Sequence, residues 1–275
     1  MSETPIQRLL LNKGAYFGET IDIVKVLDCC LAAAEKYGWE REQILCEGDV
    51  CLWAFHRKGT GEGACPTTAG EGARPTTGRR IYISTGMHGD EPAGPLAALR
   101  LLEENEWPED AEIWLLPCLN PTGFPSNTRE NRNKVDLNRE YHGSKEAEVI
   151  AHIAWLEKQP KFDVALCLHE DWESHGFYVY ELNPDERPSY SEPMIEAVSK
   201  VCPIDLSHEI EGRPAQGGII RPSIDPASRP QWPEAFYLLQ HKTRLSYTLE
   251  APSDFPIRPR VDALVAGTRV VLNEQ

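Results

Sequence analysis

The chain has 275 residues, is 41% hydrophobic and carries a formal net charge of −15. That length supports a full core in one large α/β domain or two small ones. So acidic a balance argues against a general nucleic-acid or anionic-membrane binder, which needs a basic face, but leaves room for a small anionic substrate at a locally basic site.

From the N-terminus, Met1-Ser2-Glu3-Thr4-Pro5 lacks the basic and apolar regions of a signal peptide, and nowhere do 18 apolar residues run together to form a membrane span. The eight cysteines include no C-x-x-C pair, so reduced thiols in a cytoplasmic protein are expected. Glu19 to Tyr37 predicts an amphipathic helix. Ile23, Val26, Leu27, Cys30, Leu31 and Ala34 recur at helical spacing, and Gly38 follows as a stop. Val50 to Arg57 reads as a buried strand, with His56 in a structural or surface role rather than a ligand role. Gly61-Glu62-Gly63-Ala64-Cys65-Pro66-Thr67-Thr68 is nearly repeated as Gly70-Glu71-Gly72-Ala73-Arg74-Pro75-Thr76-Thr77. Each copy is too short to pack as a repeat unit. Its Gly, Pro and Thr content marks residues 59–78 as a mobile loop between strands.

Arg80 to Ser84 is a predicted strand that leads into Thr85-Gly86-Met87-His88-Gly89-Asp90-Glu91. A helix beginning at Pro92 and a strand over Ala111 to Pro117 follow. Strand, helix, strand in this order predicts a βαβ crossover and a parallel pair. Active-site loops in such sheets lie beyond the carboxyl ends of the strands, where His88 and Glu91 fall. Imidazole nitrogen and carboxylate oxygen are both good zinc ligands, and a catalytic zinc takes three protein ligands with one position open. H-x-x-E alone is common by chance; the rest of the chain gives it weight.

Asn120-Pro121-Thr122-Gly123 turns the chain into a basic loop, Asn127 to Arg139, with four cations between Arg129 and Arg139. Arginine's planar fork suits a carboxylate or a polarised carbonyl. Ser144 to Gln159 predicts a helix capped by Ser144. Asp163 to Leu168 predicts a strand ending in His169-Glu170-Asp171, which places at a strand end a histidine suited to be a third ligand or to orient one. Phe177 to Tyr180 predicts a strand, and Ser191 to Val201 a helix capped by Ser191. Ile204 to Glu234 is rich in Pro and Gly around Gln216-Gly217-Gly218 and reads as long active-site loops. Leu245 to Leu249 is a last strand, delivering Glu250, and Arg260 to Leu272 a closing helix.

The ordered series resembles the zinc carboxypeptidase-type metallopeptidases, a superfamily that includes the succinylglutamate desuccinylase and aspartoacylase branch. It consists of His88-x-x-Glu91, Asn120-Pro121-x-Gly123, Thr128-Arg129-x-Asn131, Val135-Asp136-Leu137-Asn138-Arg139, His169, Gln216-Gly217-Gly218 and Thr248-Leu249-Glu250. The resemblance covers roughly residues 79 to 272. It implies an α/β fold of three layers, α/β/α, with a mixed, mostly parallel central sheet. Residues 1–275 would form one catalytic domain, with 1–78 extending the same sheet. His88, Glu91 and His169 would hold one zinc. Glu250 would be the general base toward zinc-activated water, Arg129 would stabilise the oxyanion, and Asn138 and Arg139 would bind the substrate's carboxylate. Arg213 stands where the specificity-loop tyrosine of digestive carboxypeptidases would fall; with Arg132 and Arg221 it is a candidate for a basic pocket. Asp90, Asp136, Glu170 and Asp171 could supply a second metal, but orienting the zinc ligands is the preferred role. The implied activity is hydrolysis of an amide next to a free carboxylate, on a small peptide (metallocarboxypeptidase or murein-peptide amidase) or an N-acyl amino acid (deacylase). No nucleic acid or membrane partner is expected. A non-catalytic binding protein that kept the fold is a third reading, set against by the presence of every working residue.

Overall fold

The computed structural model describes residues 6–14, 16–47, 50–59, 78–225 and 230–273. The near-repeat at 61–77 lies outside the described residues. An eight-stranded mixed sheet runs in the order β1-β2-β4-β3-β5-β10-β6-β9. Its strands are β1 (Glu40–Glu47), β2 (Val50–Arg57), β3 (Arg80–Thr85), β4 (Glu112–Leu116), β5 (Val164–Asp171), β6 (Tyr178–Leu182), β9 (Ile219–Ile220) and β10 (Ser246–Pro252). The four central strands, β4, β3, β5 and β10, are mutually parallel. β2 joins β4 antiparallel, and β1 joins β2 antiparallel, so the first strands lie on the same sheet. A small hairpin, β7 (Glu209–Ile210) and β8 (Arg213–Pro214), stands apart.

The helices are α1 (Ile23–Lys36), α2 (Ala93–Glu104), α3 (Ala147–Lys158), α4 (Ser191–Val198), α5 (Glu234–His241) and α6 (Ile257–Leu272). Side-chain alternation along each strand sorts them into layers. Ile81 and Ile83 of β3, Leu166 and Leu168 of β5, and Leu249 of β10 pack with α1, α2, α4 and α6. Tyr82, Ala165 and Cys167 face the other way, onto α3 and α5. This is the three-layer arrangement with a mostly parallel centre that the resemblance implies.

Four local expectations need correction. Ser144 does not cap α3: the cap position is Glu146, and Ser144 Oγ instead accepts from Glu146 N at 3.0 Å. Ser191 is the first residue of α4 rather than its cap, and its hydroxyl donates to Glu181 at 3.2 Å. The segment 204–234 is not loop throughout, since it carries β7, β8 and β9. Not every thiol is reduced either: Cys46 and Cys51 face each other across the β1–β2 hairpin and form a disulfide. His56 is structural, held by Glu40 and Glu112 at 3.1 and 2.9 Å and stacked on Trp114. Among the described residues no helix is long and apolar enough to cross a membrane.

Beneath the sheet lies a closed polar chain. Tyr141 Oη meets His152 Nδ1 at 2.7 Å, His152 Nε2 meets Tyr82 Oη at 2.9 Å, and Tyr82 donates to Glu234 at 2.6 Å. Ser84 donates to the second Glu234 oxygen at 2.9 Å. Burial lifts the Glu234 carboxyl to about 7 and lowers the His152 imidazole to about 3, because an interior of low polarity disfavours either charge. A folded-state pKa above the unfolded value means that the folded protein holds the proton more tightly. This contribution to stability is complete below the ordinary value of 4.5 and is lost as pH rises through about 7. Glu234→Gln is expected to flatten the fall in melting temperature across that window. Thermal unfolding of both proteins at a series of pH values checks it.

Candidate active site

The turn after β3 carries the first two candidate ligands, His88 and Glu91. Gly86 has φ +63°, and a Cβ there would sit 2.9 Å from Cys118 Sγ. A Cβ on Gly89 would lie 2.1 Å from the Gly123 carbonyl carbon, so the Asn120–Gly123 turn packs directly on the His88 segment. Two glycines are therefore needed for this close approach. β5 and β10 pair in parallel with His169 opposite Glu250. Both belong to the alternation that faces α3 and α5, so register alone sets them side by side at the carboxyl edge of the sheet.

The three candidate ligands converge. One donor atom from each of His88, Glu91 and His169 lies within 4.8 Å of the other two, and all three side chains are buried. Glu91 Oε1 is 2.5 Å from His88 Nδ1, and Glu91 Oε2 is 3.0 Å from His169 Nδ1. On its far side His88 Nε2 lies 3.2 Å from Asp136 Oδ1. A carboxylate only accepts, so with Nδ1 on a metal the Nε2 proton would go to Asp136. Two Nδ1 atoms and a carboxylate are a fitting donor set for zinc, whose tetrahedral ligands at about 2.1 Å stand about 3.4 Å apart. The set is also short of one ligand, as a catalytic site requires.

Electrostatics support the same reading. Burial alone would raise the Glu91 carboxyl, but His88 and His169 outweigh it and hold it below the usual carboxylate range. Burial likewise opposes the Asp136 charge, and His88 and Arg129 overcome it. Burial would lower the His88 imidazole, yet Glu91 and Asp136 lift it; burial prevails at His169. Glu250 is pushed well above the usual carboxylate range by burial and then by Glu91, Glu211 and Asp171. A cation among these carboxylates would oppose that shift.

His88, Glu91, His169 and Glu250 line one cavity of about 370 Å³, together with Arg129, Asn138, Arg139, Arg213, Tyr180 and Glu211. Arg129 Nε donates to Asp136 at 2.8 Å, and its Nη1 lies 3.7 Å from Glu91. Asn138 Oδ1 accepts from Glu234 N at 2.9 Å, which leaves its amide nitrogen as a donor. Arg139 donates to the Asn138 carbonyl at 2.9 Å. Among the described residues neither Arg139 nor Arg213 forms an ion pair with a carboxylate.

Other sequence candidates fall elsewhere. Arg221 is held by Glu181 at 2.7 Å and Glu192 at 2.8 Å and does not line the cavity. Arg132 does not line it either. Asp136 contacts His88 and Arg129 and does not line the cavity. Glu170, next to His169, borders the cavity, but its carboxylate lies on the opposite face, where it binds Arg260 at 2.6 Å. Tyr180, Glu211 and Thr248 are among the cavity residues that the sequence does not single out. Tyr180 and Thr248 pair across β6 and β10, and Tyr180 donates a short hydrogen bond to Glu211 at the tip of the β7–β8 hairpin. The alternation that exposes Glu250 also exposes Thr248, so that residue could have been read from the strand.

Comparison with known proteins bears on the site as a whole. The family model of the succinylglutamate desuccinylase/aspartoacylase catalytic domain matches residues 77–214. Carboxypeptidase SOL1 of Arabidopsis thaliana is 30% identical over 112 residues, covering 32% of this chain and 22% of that protein. Among solved structures, a candidate metallopeptidase of Shewanella amazonensis superposes with TM-score 0.75 at 23% identity, over 92% of each chain. A metallo-carboxypeptidase of Burkholderia cenocepacia superposes with TM-score 0.63 at 17% identity, covering 90% of this chain and 67% of that one. At such identities these structures establish a shared fold.

Asp136→Ala is expected to weaken zinc binding about 10- to 100-fold, the usual loss when a partner that orients a ligand is removed. Competition with a chromogenic chelator measures it.

Proposed function

The chain belongs to the succinylglutamate desuccinylase/aspartoacylase catalytic-domain family, and from that premise we propose that it is a zinc-dependent hydrolase of amide bonds next to a free carboxylate. The observation that carries this is one cavity in which His88, Glu91 and His169 meet Glu250, Arg129 and two guanidinium groups, Arg139 and Arg213, that pair with no carboxylate among the described residues. In so acidic a chain, cations left without carboxylate partners inside a cavity point to an anionic ligand.

His88, Glu91 and His169 would hold the zinc, which supplies Lewis-acid activation of water and of the scissile carbonyl. The remaining work falls to the chain's own side chains. Glu250 takes a proton from the attacking water and returns it to the leaving amine. Arg129, fixed by Asp136, faces the charge that develops on the carbonyl oxygen. Arg139 and the Asn138 amide anchor the substrate carboxylate. Arg213 meets a second anionic group.

Cleavage of a C-terminal peptide bond is the first form of this reaction. Deacylation of an N-acyl amino acid is the second, and two observations favour it: the family model, and a cavity of about 370 Å³, near the lower bound for ligand pockets. A panel of C-terminal dipeptides, cell-wall tripeptides and N-acyl amino acids separates the two. Arg129→Ala is expected to lower kcat about 10²- to 10³-fold with the metal retained. Arg139→Ala and Arg213→Ala are expected to raise KM about 10- to 100-fold, the loss of one charged hydrogen bond. No hydrolysis of any substrate by zinc-loaded wild type would overturn the proposal.

A further inference from the structure

The two faces of β5 carry different duties. His169 faces the cavity, whereas Glu170 points to the other side, beneath α2 and α6. Glu170 Oε1 accepts from Ala93 N at 2.5 Å, two residues beyond Glu91. Its Oε2 accepts from Arg260 Nη1 at 2.6 Å and from Ser253 Oγ at 3.4 Å, three residues beyond Glu250. One buried carboxylate thus touches the segments that carry His169, Glu91 and Glu250.

Arg260 is 0% exposed. Its Nε finds no partner, so the guanidinium is held through its two terminal nitrogens. Nη1 takes Glu170; Nη2 takes Glu19 Oε2 at 2.5 Å; both approach Tyr16 Oη, at 3.2 and 3.3 Å. Glu19 Oε1 also accepts from Ile257 N, at the start of α6, at 3.2 Å. The same N-terminal arm is tied to Asp254: Leu11 N, Leu10 N and Arg8 Nε donate to its carboxylate at 2.9, 3.1 and 3.0 Å. Glu19, Arg260 and Asp254 all lie outside the 77–214 segment that the family model matches.

We propose that the N-terminal arm is a positioning element of the active site, acting through the chain Glu19–Arg260–Glu170 to set the spacing of the three functional segments. The inference rests on the reading of His88, Glu91 and His169 as metal ligands. The arm touches no donor itself. It supplies the second carboxylate of a buried guanidinium whose first carboxylate spans the donor-bearing strands. Arginine is suited to this because one planar group can hold two anions in fixed directions.

The test uses Glu19→Ala, at an exposed position where folding should be retained, with Glu19→Gln as the conservative variant and Arg100→Ala as a control on the same α2–α6 surface. Hydrogen exchange is followed in residues 86–94 and 251–256 against α3 and α5, and zinc affinity is measured by chelator competition. Glu19→Ala is expected to speed exchange in the two named segments only and to weaken zinc binding about 10-fold. Glu19→Gln should recover part of both effects, and Arg100→Ala should show neither. Exchange needs no metal, so the two readings fail separately. Faster exchange in those segments with no zinc bound by wild type would support the positioning role and remove the metal reading. Unchanged exchange in Glu19→Ala, or a rise spread evenly over the whole chain, would overturn the proposal whatever the zinc result.

Discussion

Glu91 is the constraint around which the site is arranged. It is a carboxylate with 4% exposure, and an ionised carboxylate in such a place costs several kcal/mol unless it is paired. Each of its oxygens faces an imidazole nitrogen, and Arg129 stands behind one of them. Those partners arrive from three separate stretches: the turn after β3, the end of β5 and the loop before Asp136. The fold brings them together because β3 and β5 are adjacent and parallel, so their carboxyl ends open on the same side. A carboxylate at this point without those neighbours would be neutral or would not be buried.

The same edge shows how a two-residue period divides labour. Along β5, His169 looks into the cavity and Glu170 into the helical layer of α2 and α6. Along β10, Thr248 and Glu250 look into the cavity while Leu249 fills the core. Consecutive residues thus face the cavity and the helical layer behind it, and that layer is itself polar at this point. A chain of charges, Glu19, Arg260 and Glu170, takes the place of the aliphatic packing found elsewhere in that layer.

Much of this was legible in the sequence. The apolar runs of β2, β3, β4 and β5 mark buried strands, and the β3–α2–β4 order implies their parallel pairing. His88 and Glu91 stand out by spacing and by the glycines around them. His169 and Glu250 could be read as strand ends, but spacing cannot bring them together; that took the register between β5 and β10. Other features have no local signal. β1 begins Glu40-Arg41-Glu42-Gln43, polar enough to read as loop, yet it is an edge strand whose first four residues are exposed. α5 has eight residues behind a proline-rich stretch and carries Glu234 into the core. Arg260 reads as an ordinary charge on a helix; its burial depends on Glu19, 241 positions away.

The central claim is that His88, Glu91 and His169 form one metal centre that serves Glu250. Metal content and hydrolysis measured on the same preparations of wild type, His88→Ala and Glu250→Gln test it most directly. The account predicts about one zinc per chain in wild type, its loss in His88→Ala, and full zinc without turnover in Glu250→Gln. Wild type that binds no metal even when zinc is supplied would contradict it.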